Sequence, residues 1–107
     1  MSFFNKAKGL YKKNIWTIAY RRNSDEGKAF ESDRISDMKL LKKSIFYAMA
    51  DPFIVKFENS NYLYFEKQSF FTMKGKIACV NLDSNEKKHK TVLIKPYHLS
   101  YPFIYKY

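Results

Sequence analysis

The segment Pro52-Phe53-Ile54-Val55-Lys56-Phe57 recurs as Pro102-Phe103-Ile104-Tyr105-Lys106-Tyr107. Four of the six positions are identical, and the other two exchange one apolar or aromatic residue for another. Self-similarity at a spacing of roughly 20 to 50 residues marks repeat architectures, propellers among them. The 107 residues hold one period and the opening strand of a next. The sequence therefore reads as a piece of a larger repeat fold, and a functional reading has to pass through that limit.

Between the two copies the pattern is that of short strands. A strand is expected over 52–57, opened by Pro52, because a strand start need not donate a hydrogen bond. Glu58 to Asn61 reads as a turn. Tyr62 to Lys67 is a second strand, apolar enough to be covered on both faces. Gln68 to Lys74 reads as a loop, Gly75 to Leu82 as a third strand, Asp83 to Lys90 as a charged turn and Thr91 to Lys95 as a fourth strand. Pro96 to Ser100 links to a fifth, 101–107. The fold class expected is all-β: about one four-stranded antiparallel propeller blade, with its main repeat over 51–100, plus the first strand of the next. A generic β-meander is the plainer alternative.

Upstream of the repeat, residues 2–13 place Phe3, Phe4, Ala7, Leu10 and Tyr11 at helical spacing among lysines. That predicts a short basic amphipathic helix over 1–13, docked on the fold or resting on an anionic membrane surface. The partial propeller domain then occupies 14–107. Asn14 to Arg22 is rich in β-branched and aromatic residues and reads as a strand. Residues 30–50 mix a helical spacing of Ile35, Met38, Leu41 and Ile45 with a candidate edge strand at 38–41.

The net charge is +10, yet only three of the basic residues are arginines (Arg21, Arg22, Arg34). A basic surface suits polyanions or anionic membranes. The shortage of arginine argues against bidentate base or phosphate recognition, so nucleic acid stays a minor alternative. The single cysteine, Cys79, excludes an internal disulfide and reads as a small buried hydrophobe within Ile77-Ala78-Cys79-Val80. No metal-ligand spacing, phosphate-cradling glycine loop or serine nucleophile motif is present, and no cofactor is expected. The absence of an apolar span or leader pattern gives a cytoplasmic expectation.

Four motifs in order, Ala50-Asp51-Pro52-Phe53, Tyr62-Leu63-Tyr64-Phe65-Glu66, Gly75-Lys76-Ile77 and Tyr97-His98-Leu99-Ser100-Tyr101-Pro102-Phe103, resemble the N-terminal domain of the glucosamine inositolphosphorylceramide transferase family. That domain is similar in turn to the five-bladed propeller of arabinanase- and xylosidase-type glycoside hydrolases. The resemblance covers about 15–107 and implies carbohydrate or glycoconjugate metabolism. It also implies that most blades of the family's domain lie outside this sequence.

Asp51 is the first candidate site residue. In the hydrolases this chain resembles, an Asp at this place is the general base that activates water. Inversion needs a second carboxyl as general acid, roughly 6.5 to 9.5 Å away. The second copy carries Tyr101 where those hydrolases keep another Asp. One carboxylate cannot serve as acid and base together, so catalysis by the isolated chain is not expected. Asp51 could equally accept backbone N–H bonds beside the proline. The resemblance places Tyr97, His98 and Tyr101 near the central face, where they could stack on and hydrogen-bond a sugar, against the alternative of a packing loop. Glu66 reads as half of a surface ion pair or cross-strand pair with Lys67 beside it. His89 sits in Lys87-Lys88-His89-Lys90, a solvated basic turn.

The partners expected are a sugar or glycoconjugate, with further blades supplied in trans or self-association through an exposed edge at 101–107. The second reading is a basic β-module that binds an anionic glycan, membrane or nucleic acid.

Overall fold

An edge-to-edge meander of four antiparallel strands forms the body of the protein in the computed structural model, which describes residues 16–21 and 38–105. The expected helix over 1–13 lies outside those residues. β1 (Ala19–Tyr20) pairs with β2 (Lys39–Leu40) as a two-stranded sheet. The larger sheet runs β3 (Tyr47–Phe57), β4 (Ser60–Ser69), β5 (Gly75–Asn81) and β6 (Lys90–Leu93), in chain order across the sheet. All described residues are strand, turn or irregular, so the all-β expectation holds and the candidate edge strand at 38–41 appears as β2.

β3 starts five residues earlier than Pro52. Ala50 pairs with Glu66 and Phe53 with Tyr64, which leaves Asp51 and Pro52 together opposite Phe65 alone. This is a β-bulge, and it explains how proline is tolerated inside a terminal strand: its missing N–H falls where the ladder is already interrupted. Asp51 takes φ 51°. That left-handed conformation is adopted by Asp and Asn more readily than by most residues. The turn between β3 and β4 shortens to Glu58 and Asn59, because Phe57 already pairs with Ser60.

The bulge switches the parity of β3. Side chains alternate across a strand, so register assigns each residue to a face. Tyr47, Met49 and Ile54 share one face with Leu63, Phe65, Ala78 and Val80. Ala48, Ala50, Phe53 and Val55 share the other with Tyr62, Tyr64, Glu66, Ile77 and Cys79. The first face carries the core. Ile18 and Leu41 cover Met49, Leu63, Phe65, Ala78 and Val80, with Tyr20, Tyr47 and Leu82 packed at the margin. The Leu41 N–H bond to Ile18 O (3.0 Å) extends the small ladder by a rung, and the Met49 N–H bond to Trp16 O (3.1 Å) ties the segment leading into it to β3. Burying a side chain such as Phe65 or Leu63 contributes about 1.5–3 kcal/mol each, so this layer supplies most of the cohesion.

Two expectations change here. The fourth strand is 90–93 rather than 91–95, with every residue exposed. The fifth strand is not formed over 101–105, and 106–107 lie outside the described residues. A strand exists only where a neighbour accepts its ladder, and this segment has none. It still returns to the first copy: the rings of Phe53 and Phe103 lie 5.2 Å apart. Tyr101 repeats the φ of 51° found at Asp51, so the residue before proline has the same unusual backbone in both copies.

Candidate functional site

On the face away from the core, three titratable side chains meet around the bulge. The bulge aims Asp51 at Glu66, and the two carboxyls share a hydrogen bond. Glu66 follows Tyr62 and Tyr64 on the same face of β4, the central strand at this level, and is only 7% exposed. His98 approaches from the connection after β6. Its Nε2 lies 3.1 Å from Glu66 Oε1. The Gly75 N–H donates to His98 Nδ1 at 2.7 Å. That bond fixes the tautomer: Nδ1 is the acceptor, so Nε2 carries the proton and donates it to Glu66.

A carboxyl this buried, facing another carboxylate, favours its neutral form. Burial, then the hydrogen bond to Asp51 and its charge, raise Glu66 from 4.5 to about 7. Glu66 is therefore a proton donor to Asp51 and an acceptor from His98 over most of the acid range. No buried side-chain N or O among the described residues lacks a partner.

Gly75 makes the docking of His98 possible. Besides its N–H bond to the imidazole, its carbonyl accepts the Leu99 N–H at 2.8 Å. A Cβ there would stand 2.3 Å from the Leu99 carbonyl oxygen, 2.8 Å from His98 Cε1 and 2.9 Å from Glu66 Oε1. Lys74 Nζ adds a bond to the Pro96 carbonyl at 2.7 Å. The 96–99 connection is thus stapled to the start of β5, which a sequence reading as a plain linker did not show.

The expected site residues divide. Asp51 and His98 are brought together, through Glu66. Tyr97 and Tyr101 are 60% and 78% exposed and flank that cluster in sequence. Glu66 does not form the expected surface pair with Lys67. Adjacent strand residues point to opposite faces, and Lys67 Nζ sits instead 4.2 Å over the Tyr47 ring and 3.1 Å from His89 Nε2. His89 is likewise not a solvated turn residue. It is half-buried, edge-on to Tyr47 (5.5 Å) and Phe65 (5.6 Å). Burial and the Lys67 charge lower its pKa. Glu66 and Gly75 were the missed residues. The available signal was a lone acid on the Tyr62–Tyr64 side of an apolar strand.

Cys79 is buried as expected, and burial raises its thiol pKa, against smaller opposite effects of Tyr64 and Lys90. It carries no nucleophile character. Among the described residues no group of three or more His, Cys, Asp or Glu could hold a metal ion. No helix among them is long and apolar enough to cross a membrane.

Chemically, the Asp51–Glu66 pair differs from a glycosidase pair. Two carboxyls that bracket a glycosidic bond stand roughly 5–5.5 Å apart for retention and 6.5–9.5 Å for inversion. Asp51 and Glu66 instead interact directly, through a hydrogen bond and charge that favour the protonated form of Glu66. The cluster offers acceptors and a neutral donor on the sheet face away from the core, with Glu66 covered and His98 more exposed at its rim.

Residues 20–107 match the family described as the N-terminal domain of glucosamine inositolphosphorylceramide transferase 1. The chain belongs to this family. The match spans β2 to β6 and the connection that carries His98, so every member of the cluster lies within the family region. No curated protein and no solved structure matches the chain.

Two outcomes follow from the cluster. Glu66 is protonated in the folded protein up to about pH 7 but only to about 4.5 when unfolded. The folded state then holds the extra proton between those values, so the contribution of Glu66 to stability is fully present below 4.5 and is lost as pH rises through about 7. Glu66→Gln keeps an acceptor for His98 and a donor for Asp51 but does not titrate. Urea midpoints measured from pH 4.5 to 8 should lose that slope in the variant. An unchanged slope would show that Glu66 is not its source. Gly75→Ala should lower stability by about 1–3 kcal/mol through overpacking. Its amide exchange should show that protection of Leu99 falls first.

Proposed function

We propose that this chain is a glycoconjugate-binding domain that contributes a propeller blade and does not catalyse on its own. Membership of a glycosyltransferase-related family supports the association with glycoconjugates. The observation that carries the binding role is the Asp51–Glu66–His98 cluster. Carboxyl oxygens and an imidazole within one hydrogen-bonded set suit the vicinal hydroxyls of a sugar, and exposed Tyr97 and Tyr101 beside it suit its C–H face. The family's name includes glucosamine, whose ammonium group would find acceptor oxygens at Asp51.

The blade reading rests on three features. The sheet is a four-stranded meander, Phe53 and Phe103 of the two copies touch, and both prolines follow a residue at φ 51°. In this reading the exposed Phe103 and Tyr105 and the open β6 edge are covered by further blades in trans or by a second copy. The basic module for anionic polymers remains the second reading, favoured by the net charge of +10. A cytoplasmic setting, with peripheral membrane contact through 2–13, accompanies either one.

The test of the binding role is a titration with glucosamine and with glucose, followed by backbone amide shifts. Saturable shifts are expected at Asp51, Glu66 and the 97–101 connection, with glucosamine the tighter ligand. Asp51→Asn and His98→Ala should abolish them without loss of fold. Shifts absent from this cluster for both sugars would remove the reading.

A further inference from the structure

On the core side of the sheet, a cavity of about 450 Å³ is lined by residues that the glycoconjugate reading does not use. Its lining comes from two separate stretches, Leu41-Lys42-Lys43-Ser44 before β3 and Lys87-Lys88-His89 before β6, with Tyr47, Met49 and Val80 between them. The volume lies in the range of small-molecule sites, roughly 300–1,000 Å³. Four lysines line it, and none of its described lining residues is acidic. A concave surface of one charge sign concentrates the opposite one. The floor of Leu41, Met49 and Val80 and the rings of Tyr47 and His89 are apolar or amphipathic, which a bare solvated lysine face would lack.

We propose that this cavity is a binding site for a phosphate ester of sugar size, such as a sugar phosphate, with the lysines holding the phosphate and Tyr47 and His89 flanking the body.

Existing contacts leave the lysines available. Lys88 Nζ is 3.2 Å from Glu86 Oε2, but both side chains are more than three-quarters exposed. Surface pairs of that kind are readily exchanged for a better anion. Lys87 Nζ donates to the Ser84 carbonyl at a long 3.3 Å. Ser44 Oγ accepts the Phe46 N–H at 3.0 Å and keeps its own proton to donate. Lys67 Nζ donates to His89 Nε2, so the neutral imidazole carries its proton on Nδ1 as a further donor. Lysine recognises phosphate as a point charge and needs no fork geometry, which fits a protein poor in arginine. Register places Tyr47 and Met49 on the opposite face from Glu66. The site is therefore independent of the carboxyl–imidazole cluster, and either can fail without the other.

Glucose 6-phosphate, glucose and inorganic phosphate are titrated into the full chain at physiological ionic strength, with affinity from calorimetry and location from amide shifts. The ester should give saturable shifts confined to 41–49 and 87–89, glucose none, and inorganic phosphate weaker binding. Lys42→Glu with Lys43→Glu should weaken ester binding by about tenfold or more. Lys56→Glu with Lys95→Glu, an equal charge change away from the cavity, should leave it nearly unaltered. Lys88→Glu alone, at a largely exposed position, should weaken it severalfold with the thermal midpoint unchanged. The proposal is overturned by an absence of saturable shifts, by shifts spread over the whole lysine surface, by equal losses in both double variants, or by inorganic phosphate binding as tightly as the ester.

Discussion

Asp51 and Pro52 stand together opposite the single residue Phe65, and the layout of both faces depends on that mismatch. Without it, Phe53 and Val55 would turn toward the core side and Ile54 away. With it, Tyr47 and Met49 join the core before the bulge, and Phe53 joins the Glu66 face after it. The same local kink places the Asp51 carboxyl against Glu66. Proline enforces the break by lacking an N–H, and Asp tolerates the positive φ that the break requires. Backbone strain and site geometry are thus one feature, as is common where strands are bent toward a functional surface.

The cluster that results is stable because each member satisfies another. A buried carboxylate beside a second one would be costly. Glu66 avoids that by holding a proton for Asp51 and by accepting one from His98, whose tautomer is fixed by the backbone of Gly75. Removing the side chain at Gly75 is what lets the 96–99 connection come within bonding distance of β5. Asp51 lies in the first copy of the repeat, and Tyr101 holds its place in the second with the same φ. The acidic function is therefore confined to one copy, while the backbone form is common to both.

Much of this was legible in the sequence, and the failures have physical causes. The repeat and the aromatic, β-branched runs mark β4, β5 and the C-terminal half of β3. The start of β3 was hidden because Ala48, Met49 and Ala50 have no strand signature and Asp51-Pro52 reads as a boundary. Alternation along β4 separates Glu66 from Lys67, but the bulge in β3 hid which residues of that strand share the Glu66 face. Lysine neighbours made His89 look solvated, although its packing on Tyr47 and Phe65 joins residues far apart in the chain. Asp51 and His98 were marked by the family resemblance. Glu66, which unites them, needed the register.

The shared proton is the point on which this description rests, and it can be observed directly. The side-chain carboxyl of Glu66, labelled with carbon-13, is followed by NMR across the acid and neutral range. A midpoint near 7 is expected if burial and the Asp51 carboxylate hold its proton. A midpoint near the ordinary 4.5 would contradict it, because Glu66 would then be an independent, solvated carboxylate and the cluster would not exist as described.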